Sequence, residues 1–97
     1  MNNTYQIYLI SDSTGETLDR IFLALKAQFL NIEYKVHSYS FTRTENQILK
    51  ILDDANKNEN SIILYTIVDN NLAKYLANES IENRVNEYRK EYFSSNN

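Results

Sequence analysis

Apolar residues change their spacing several times along this chain, and each change marks an element. Tyr5-Gln6-Ile7-Tyr8-Leu9-Ile10 is aromatic, β-branched and mostly apolar between polar flanks, which predicts a largely buried first strand. From Thr17 to Phe29 the apolar residues Leu18, Ile21, Phe22, Leu25 and Phe29 recur at helical spacing, with Asp19, Arg20 and Lys26 on the other side. Tyr34 to Phe41 then alternates, as a strand with one covered and one wetter face does. Thr44 followed by Gln47 forms a capping box for a helix to about Asn56, whose apolar side is Ile48, Leu49, Ile51, Leu52 and Ala55.

Ser61 to Val68 is the most hydrophobic stretch and suits a central parallel strand covered on both faces. Asp69 closes it and caps a helix through Leu72, Ala73, Leu76 and Ala77. The order β-α-β-α-β-α predicts an α/β fold: a three-layer unit with a small, mainly parallel sheet and right-handed crossovers. Strand orders 2-1-3 and 3-2-1 both satisfy it. After Glu79 the pattern thins, and Ile81, Val85, Tyr88 and Tyr92 predict a charged C-terminal helix before a frayed Ser94-Ser95-Asn96-Asn97 tail. The organisation expected is an α/β domain over 1–80 and a charged helix with tail over 81–97.

A chain of 97 residues buries one core, and 42% hydrophobic with 24% charged residues places it among ordinary globular proteins. The net charge of -3 is spread over interspersed acids and bases, so no nucleic-acid partner is expected. Cysteine is absent and His37 is the single histidine, which excludes thiolate chemistry and argues against a metal centre. No apolar run reaches the roughly 20 residues that span a bilayer, and Met1-Asn2-Asn3-Thr4 does not resemble a signal peptide, so no membrane association and a cytoplasmic location are expected. Gly15 is the single glycine, so neither G-x-x-x-x-G-K-[ST] nor G-x-G-x-x-G can be written here.

Chemistry concentrates in the loop Ser11-Asp12-Ser13-Thr14-Gly15-Glu16. A loop leaving a parallel strand for a helix aims backbone N–H groups above the sheet, and the helix dipole adds partial positive charge there. The hydroxyls of Ser13 and Thr14 and the Gly15 backbone suit a phosphate, and Asp12 can accept a proton or hold magnesium. Equally, Ser13-x-x-Glu16 reads as a capping box that needs no ligand. Arg43, just beyond strand two, falls on the same carboxyl edge and can fork onto an anion, or simply be exposed. Asp69 reaches that edge too, as a helix cap. His37 reads as a packed or surface residue, and Tyr75, Tyr88, Tyr92 and Phe93 as core, rim or a sticky edge for association. The candidate anion-facing residues are thus Ser11, Asp12, Ser13, Thr14, Gly15 and Arg43; none is assigned a catalytic role.

The run Leu9 to Thr17 followed by Leu25-Lys26-Ala27-Gln28-Phe29, then Phe41-Thr42-Arg43-Thr44-Glu45 and Ile62 to Asp69, resembles in the same order the amino-terminal segment of the regulatory proteins of pyruvate, phosphate dikinase and phosphoenolpyruvate synthase. The likeness covers about residues 5 to 80. It implies a bifunctional enzyme that uses ADP to phosphorylate a threonine of the dikinase or synthase, and inorganic phosphate to remove that group as pyrophosphate. It also implies a homodimer, and a nucleotide-binding P-loop in a second domain that nothing in this sequence matches. For this chain alone the expectation is therefore no cofactor and no kinase activity. Two other readings fit the residues: a stand-alone module for a small anion, and a scaffold in which the loop is only a cap.

Overall fold

Alternating strands and helices appear in the predicted order, with one strand more than the pattern announced. A computed structural model of the chain describes residues 4–28, 31–58, 60–82 and 86–89. The strands are β1 (Tyr5–Ser11), β2 (Tyr34–Tyr39), β3 (Ser61–Thr66) and β4 (Asn86–Arg89), and the helices are α1 (Glu16–Lys26), α2 (Glu45–Ala55) and α3 (Asn70–Glu82). All strand pairs are parallel and the sheet order is β2-β1-β3-β4. Tyr5 to Ile10 pairs in register with Tyr34 to Tyr39 on one side, and Gln6 to Ser11 with Ser61 to Thr66 on the other. Of the two strand orders left open by the sequence, 2-1-3 is the one adopted.

Side-chain alternation along β1 sorts the core into two layers. Tyr8 and Ile10 join Ile63, Tyr65 and Ile67 against Ile48, Ile51, Leu52 and Ala55 of α2 and Leu72, Ala73 and Leu76 of α3. Ile7 and Leu9 face the other way, onto Leu18 and Phe22 of α1. The described residues therefore form the three-layer α/β unit expected, with α2 and α3 on one face and α1 on the other. Of the stripe predicted for α1, Leu18 and Phe22 are buried, Ile21 is half-buried and Leu25 is 39% exposed. Phe29 lies outside the described residues.

One element departs from expectation. Residues 86–89 form β4, pairing Ile62 with Asn86 through Tyr65 with Arg89, where tyrosine and valine spacing predicts helix. The free edge of β3 explains the difference: a parallel ladder with residues 86–89 pairs β3 backbone groups that a helix, bonded within itself, would leave to water. The helical signal from Ile81 belongs instead to the last turn of α3, which runs to Glu82. The predicted frayed tail lies outside the described residues. Among those described, no helix is long and apolar enough to cross a membrane.

The strand order fixes where a ligand can sit. From β1 the chain turns to α1 on one face, whereas from β3 it turns to α3 on the other. The two connections diverge above neighbouring strands and open a crevice at the carboxyl ends of β1 and β3, the switch point at which open parallel sheets bind ligands.

Candidate functional site at the carboxyl edge of the sheet

Three strand-end loops meet over this crevice, and Asp12 joins them. Its N–H donates to the Thr66 carbonyl at 3.3 Å, and its Oδ2 accepts the Val68 N–H at 2.8 Å, tying the β1 loop to the β3 loop. Its carbonyl accepts the Arg43 Nε–H at 2.9 Å, tying both to the β2 loop. That third loop is laid alongside β1 by the Phe41 N–H to Ser13 carbonyl bond at 2.9 Å and the Thr42 N–H to Ser11 carbonyl bond at 2.8 Å.

Arg43 is placed by its neighbours on the chain. The capping box predicted for α2 forms: Thr44 Oγ1 accepts the Gln47 N–H at 3.1 Å, while Gln47 Oε1 accepts the Thr44 N–H at 3.0 Å and the Arg43 N–H at 2.7 Å. The guanidinium Cζ lies 5.2 Å from the centroid of the Phe41 ring. With Asp12, Val68, Asp69 and Leu72, Arg43 lines an open cleft of about 480 Å³. Asp69 is the helix cap expected of it: Oδ1 accepts the Asn71 and Leu72 N–H groups at 2.8 and 3.1 Å.

The capping box read into Ser13 and Glu16 does not form. Helix α1 starts two residues later, with Gly15 as its N-cap at φ 89° and no side-chain cap bond. Ser13 is drawn away because its carbonyl is bonded to Phe41 and its N–H and hydroxyl face Ser11 Oγ at 3.1 and 3.3 Å. Thr14 Oγ1 accepts the Glu16 N–H at 3.4 Å, a weak bond.

Of the six candidates, Asp12 and Arg43 come together in the cleft, joined there by Asp69. Ser11 is 2% exposed and bonded to Ser13 and, at 3.4 Å, to Thr66 Oγ1. Ser11, Thr14 and Gly15 line a separate depression of about 30 Å³, just large enough for water-sized groups, and Ser13 lines neither. Sequence reasoning missed Val68, Leu72 and Phe41. The signal for the first two was positional: the last apolar residue of a strand and the first of the following helix must flank the strand end.

His37 stands apart from the cleft. Its Nε2 is 2.7 Å from Gln6 Oε1 and its ring stacks on Tyr8 at 4.6 Å. Tyr8 itself is buried, donates to Asp54 Oδ2 at 2.9 Å, and accepts from Asn58 Nδ2 at 3.4 Å. Burial first, and the Asp54 carboxylate second, push its phenol up to about 12. Tyr75 packs half-buried against the core, and the side chains of Tyr88, Tyr92 and Phe93 lie outside the described residues. No group of three or more His, Asp or Glu residues is placed to hold a metal ion among the described residues.

Comparison with known proteins converges on one family. The sequence profile described as Kinase/pyrophosphorylase matches residues 7–90, reaching past the point near residue 80 where the resemblance was expected to stop and taking in β4. A protein of Pelagibacter ubique is 72% identical over 85 residues, which are 88% of this chain and 31% of that protein. One of Geotalea uraniireducens is 48% identical over 75 residues, 77% of this chain and 28% of its own length. One of Listeria innocua is 38% identical over 86 residues, 88% of this chain and 32% of its own length. Each bears the provisional name pyruvate, phosphate dikinase regulatory protein, the last with the suffix 2. The chain thus spans about a third of the length of the curated relatives it matches.

Proposed function

Because this chain belongs to the kinase/pyrophosphorylase family, we propose that it forms the amino-terminal part of an enzyme that regulates pyruvate, phosphate dikinase. In this reading the whole enzyme transfers a phosphoryl group from ADP to a threonine of the dikinase, leaving AMP, and removes it again by attack of inorganic phosphate, releasing pyrophosphate. The observation that carries the reading is the 72% identity to the Pelagibacter ubique protein, sustained over 88% of this chain.

The residues present do not fit the nucleotide. Phosphoryl transfer needs a cradle of backbone N–H groups and a positioned cation around the migrating group. The single glycine of the sequence, Gly15, is committed to entering α1, and the Ser11 and Ser13 hydroxyls face each other. The ADP site and the transfer chemistry are therefore assigned to the part of the family's length that this chain does not span. What this chain supplies is the cleft above β1 and β3, where Arg43 offers a planar fork for an anionic group on the target protein or on a small substrate.

A chimera tests this. Residues 7–90 of this chain replace the matching segment of the Pelagibacter ubique relative, and dikinase activity is followed after incubation with ADP and then with phosphate. The expected result is loss of dikinase activity with ADP and its return with phosphate. A folded chimera that leaves the dikinase untouched, under conditions where the intact relative inactivates it, overturns the proposal.

A further inference from the structure

Phe41 occupies a conformation that its side chain does not favour. Its φ is 55°, and it is the single non-glycine residue with a positive φ among the described residues. This left-handed region suits Gly, Asn or Asp, while a bulky aromatic residue there is an outlier. Burial does not account for it, because the side chain is 51% exposed. Its N–H is bonded to the Ser13 carbonyl and its carbonyl accepts from Gln47 Nε2 at 3.4 Å, while its ring faces Arg43, whose guanidinium lies 5.2 Å from the ring centroid.

Arg43 is held from a second direction by the Asp12 carbonyl, 2.9 Å from Nε. The Phe41 ring on one side and a backbone acceptor on the other together restrain the guanidinium. Among the described residues it has no carboxylate within ion-pair distance, although two carboxylates line the same cleft of about 480 Å³. Those two are engaged by backbone donors instead: Asp12 Oδ2 by the Val68 N–H, and Asp69 Oδ1 by the Asn71 and Leu72 N–H groups. Among the described residues, each carboxylate lining the cleft thus has one oxygen engaged by backbone N–H groups, and Arg43, the cation lining it, has no carboxylate partner.

We propose that the cleft is a binding site for a phosphate-type oxyanion, which takes the Arg43 fork, and that Phe41 is the positioning residue that holds the fork toward the cleft. The proposal rests on the cleft reading given above and not on the ADP reaction. Backbone strain retained at an exposed residue is intelligible when it aims a neighbouring group, and the aimed group here is the cation.

The 97-residue chain is titrated with inorganic phosphate against sodium chloride of matched ionic strength, following backbone amide resonances. Saturable shifts are expected at Asp12, Arg43, Val68 and Leu72. Arg43→Ala should weaken binding about tenfold or more, since it removes a charged bidentate donor. Phe41→Gly should weaken it about threefold while the unfolding midpoint stays level or rises, because glycine relieves the positive φ as the ring is lost. If Phe41→Gly does not fold, Phe41→Leu keeps the bulk, removes the aromatic face and should show the same weakening.

Wild-type shifts that never saturate, or saturate equally with chloride, overturn the site. Unchanged affinity in Arg43→Ala does the same, and unchanged affinity in both Phe41 variants removes the role of Phe41. Failure here is separable from failure of the enzyme reading. An inactive chimera with saturable phosphate binding removes the kinase and keeps the cleft, and an active chimera without binding does the reverse.

Discussion

Replacing Gly15 isolates the contribution of one dihedral angle to the entry of α1. Its φ is 89°, and a Cβ built on it would meet Ser40 Oγ at 3.5 Å and Ser11 Cβ at 3.9 Å, both ordinary contacts. Alanine therefore fits the space, and its cost is conformational. The left-handed region penalises an L-residue by about 1–2 kcal/mol, and the reduced freedom of the unfolded chain returns about 0.4–1 kcal/mol. The net loss should lie between about 0 and 1.6 kcal/mol, and its centre near about 0.8 kcal/mol is equivalent to a fall in midpoint of about 3–6 °C for a domain of this size. Asparagine tolerates the region and should cost less than alanine. Valine, whose β-branch restricts χ1 and adds bulk beyond a Cβ already in contact with Ser40 and Ser11, should cost more than alanine. Urea and thermal unfolding monitored by circular dichroism should thus give the stability order Gly, Asn, Ala, Val. Ala more stable than Gly, or Ala above Asn, would refute the left-handed assignment and the account of how α1 begins.

Further expectations follow from the same structure. Asp12→Ala removes the acceptor of the Val68 N–H and should cost about 1–2 kcal/mol in urea unfolding, with Asp12→Asn costing less because an amide oxygen can still accept. Leu52, 1% exposed between the sheet and α2, should cost about 2–5 kcal/mol when cut to alanine, a loss read from the same urea curves. Tyr8 makes stability fall in alkali: unfolded, its phenol ionises near 10, whereas the folded protein holds that proton to about 12. Its contribution is complete below pH 10 and declines by roughly 1.4 kcal/mol per pH unit between the two values. Tyr8→Phe should flatten that decline, leaving the part due to Tyr39, which burial and Asp54 also push upward; an unchanged slope would refute the raised phenol of Tyr8.

How far the sequence could be read depended on whether local or distant residues decided each feature. Thr44 and Gln47 cap a helix through atoms three residues apart, so their box was legible directly. The same grammar failed at Ser13 and Glu16, because Phe41 and Ser11, distant or already committed, claimed the Ser13 backbone and side chain first. Strand β4 was hidden for a related reason: Tyr88 and Val85 carry a helical spacing, and only the unpaired edge of β3 gives residues 86–89 another use. The cleft was half visible. Parallel strand ends placed Asp12, Arg43 and Asp69 on one edge, but the partition of that edge into a broad cleft and a small depression depends on the strand order, which the pattern left open. Phe41 gave no signal, since a positive φ on an aromatic residue contradicts its own preference.

The most direct test of the central claim, that this chain contributes a working cleft to a regulatory kinase, is the ADP-dependent appearance of phosphothreonine on pyruvate, phosphate dikinase. It is measured by mass spectrometry with the Pelagibacter ubique chimera carrying either Arg43 or Arg43→Ala. The account predicts phosphothreonine with the first and a rate at least about tenfold lower with the second, at equal stability. Equal rates for the two would contradict it.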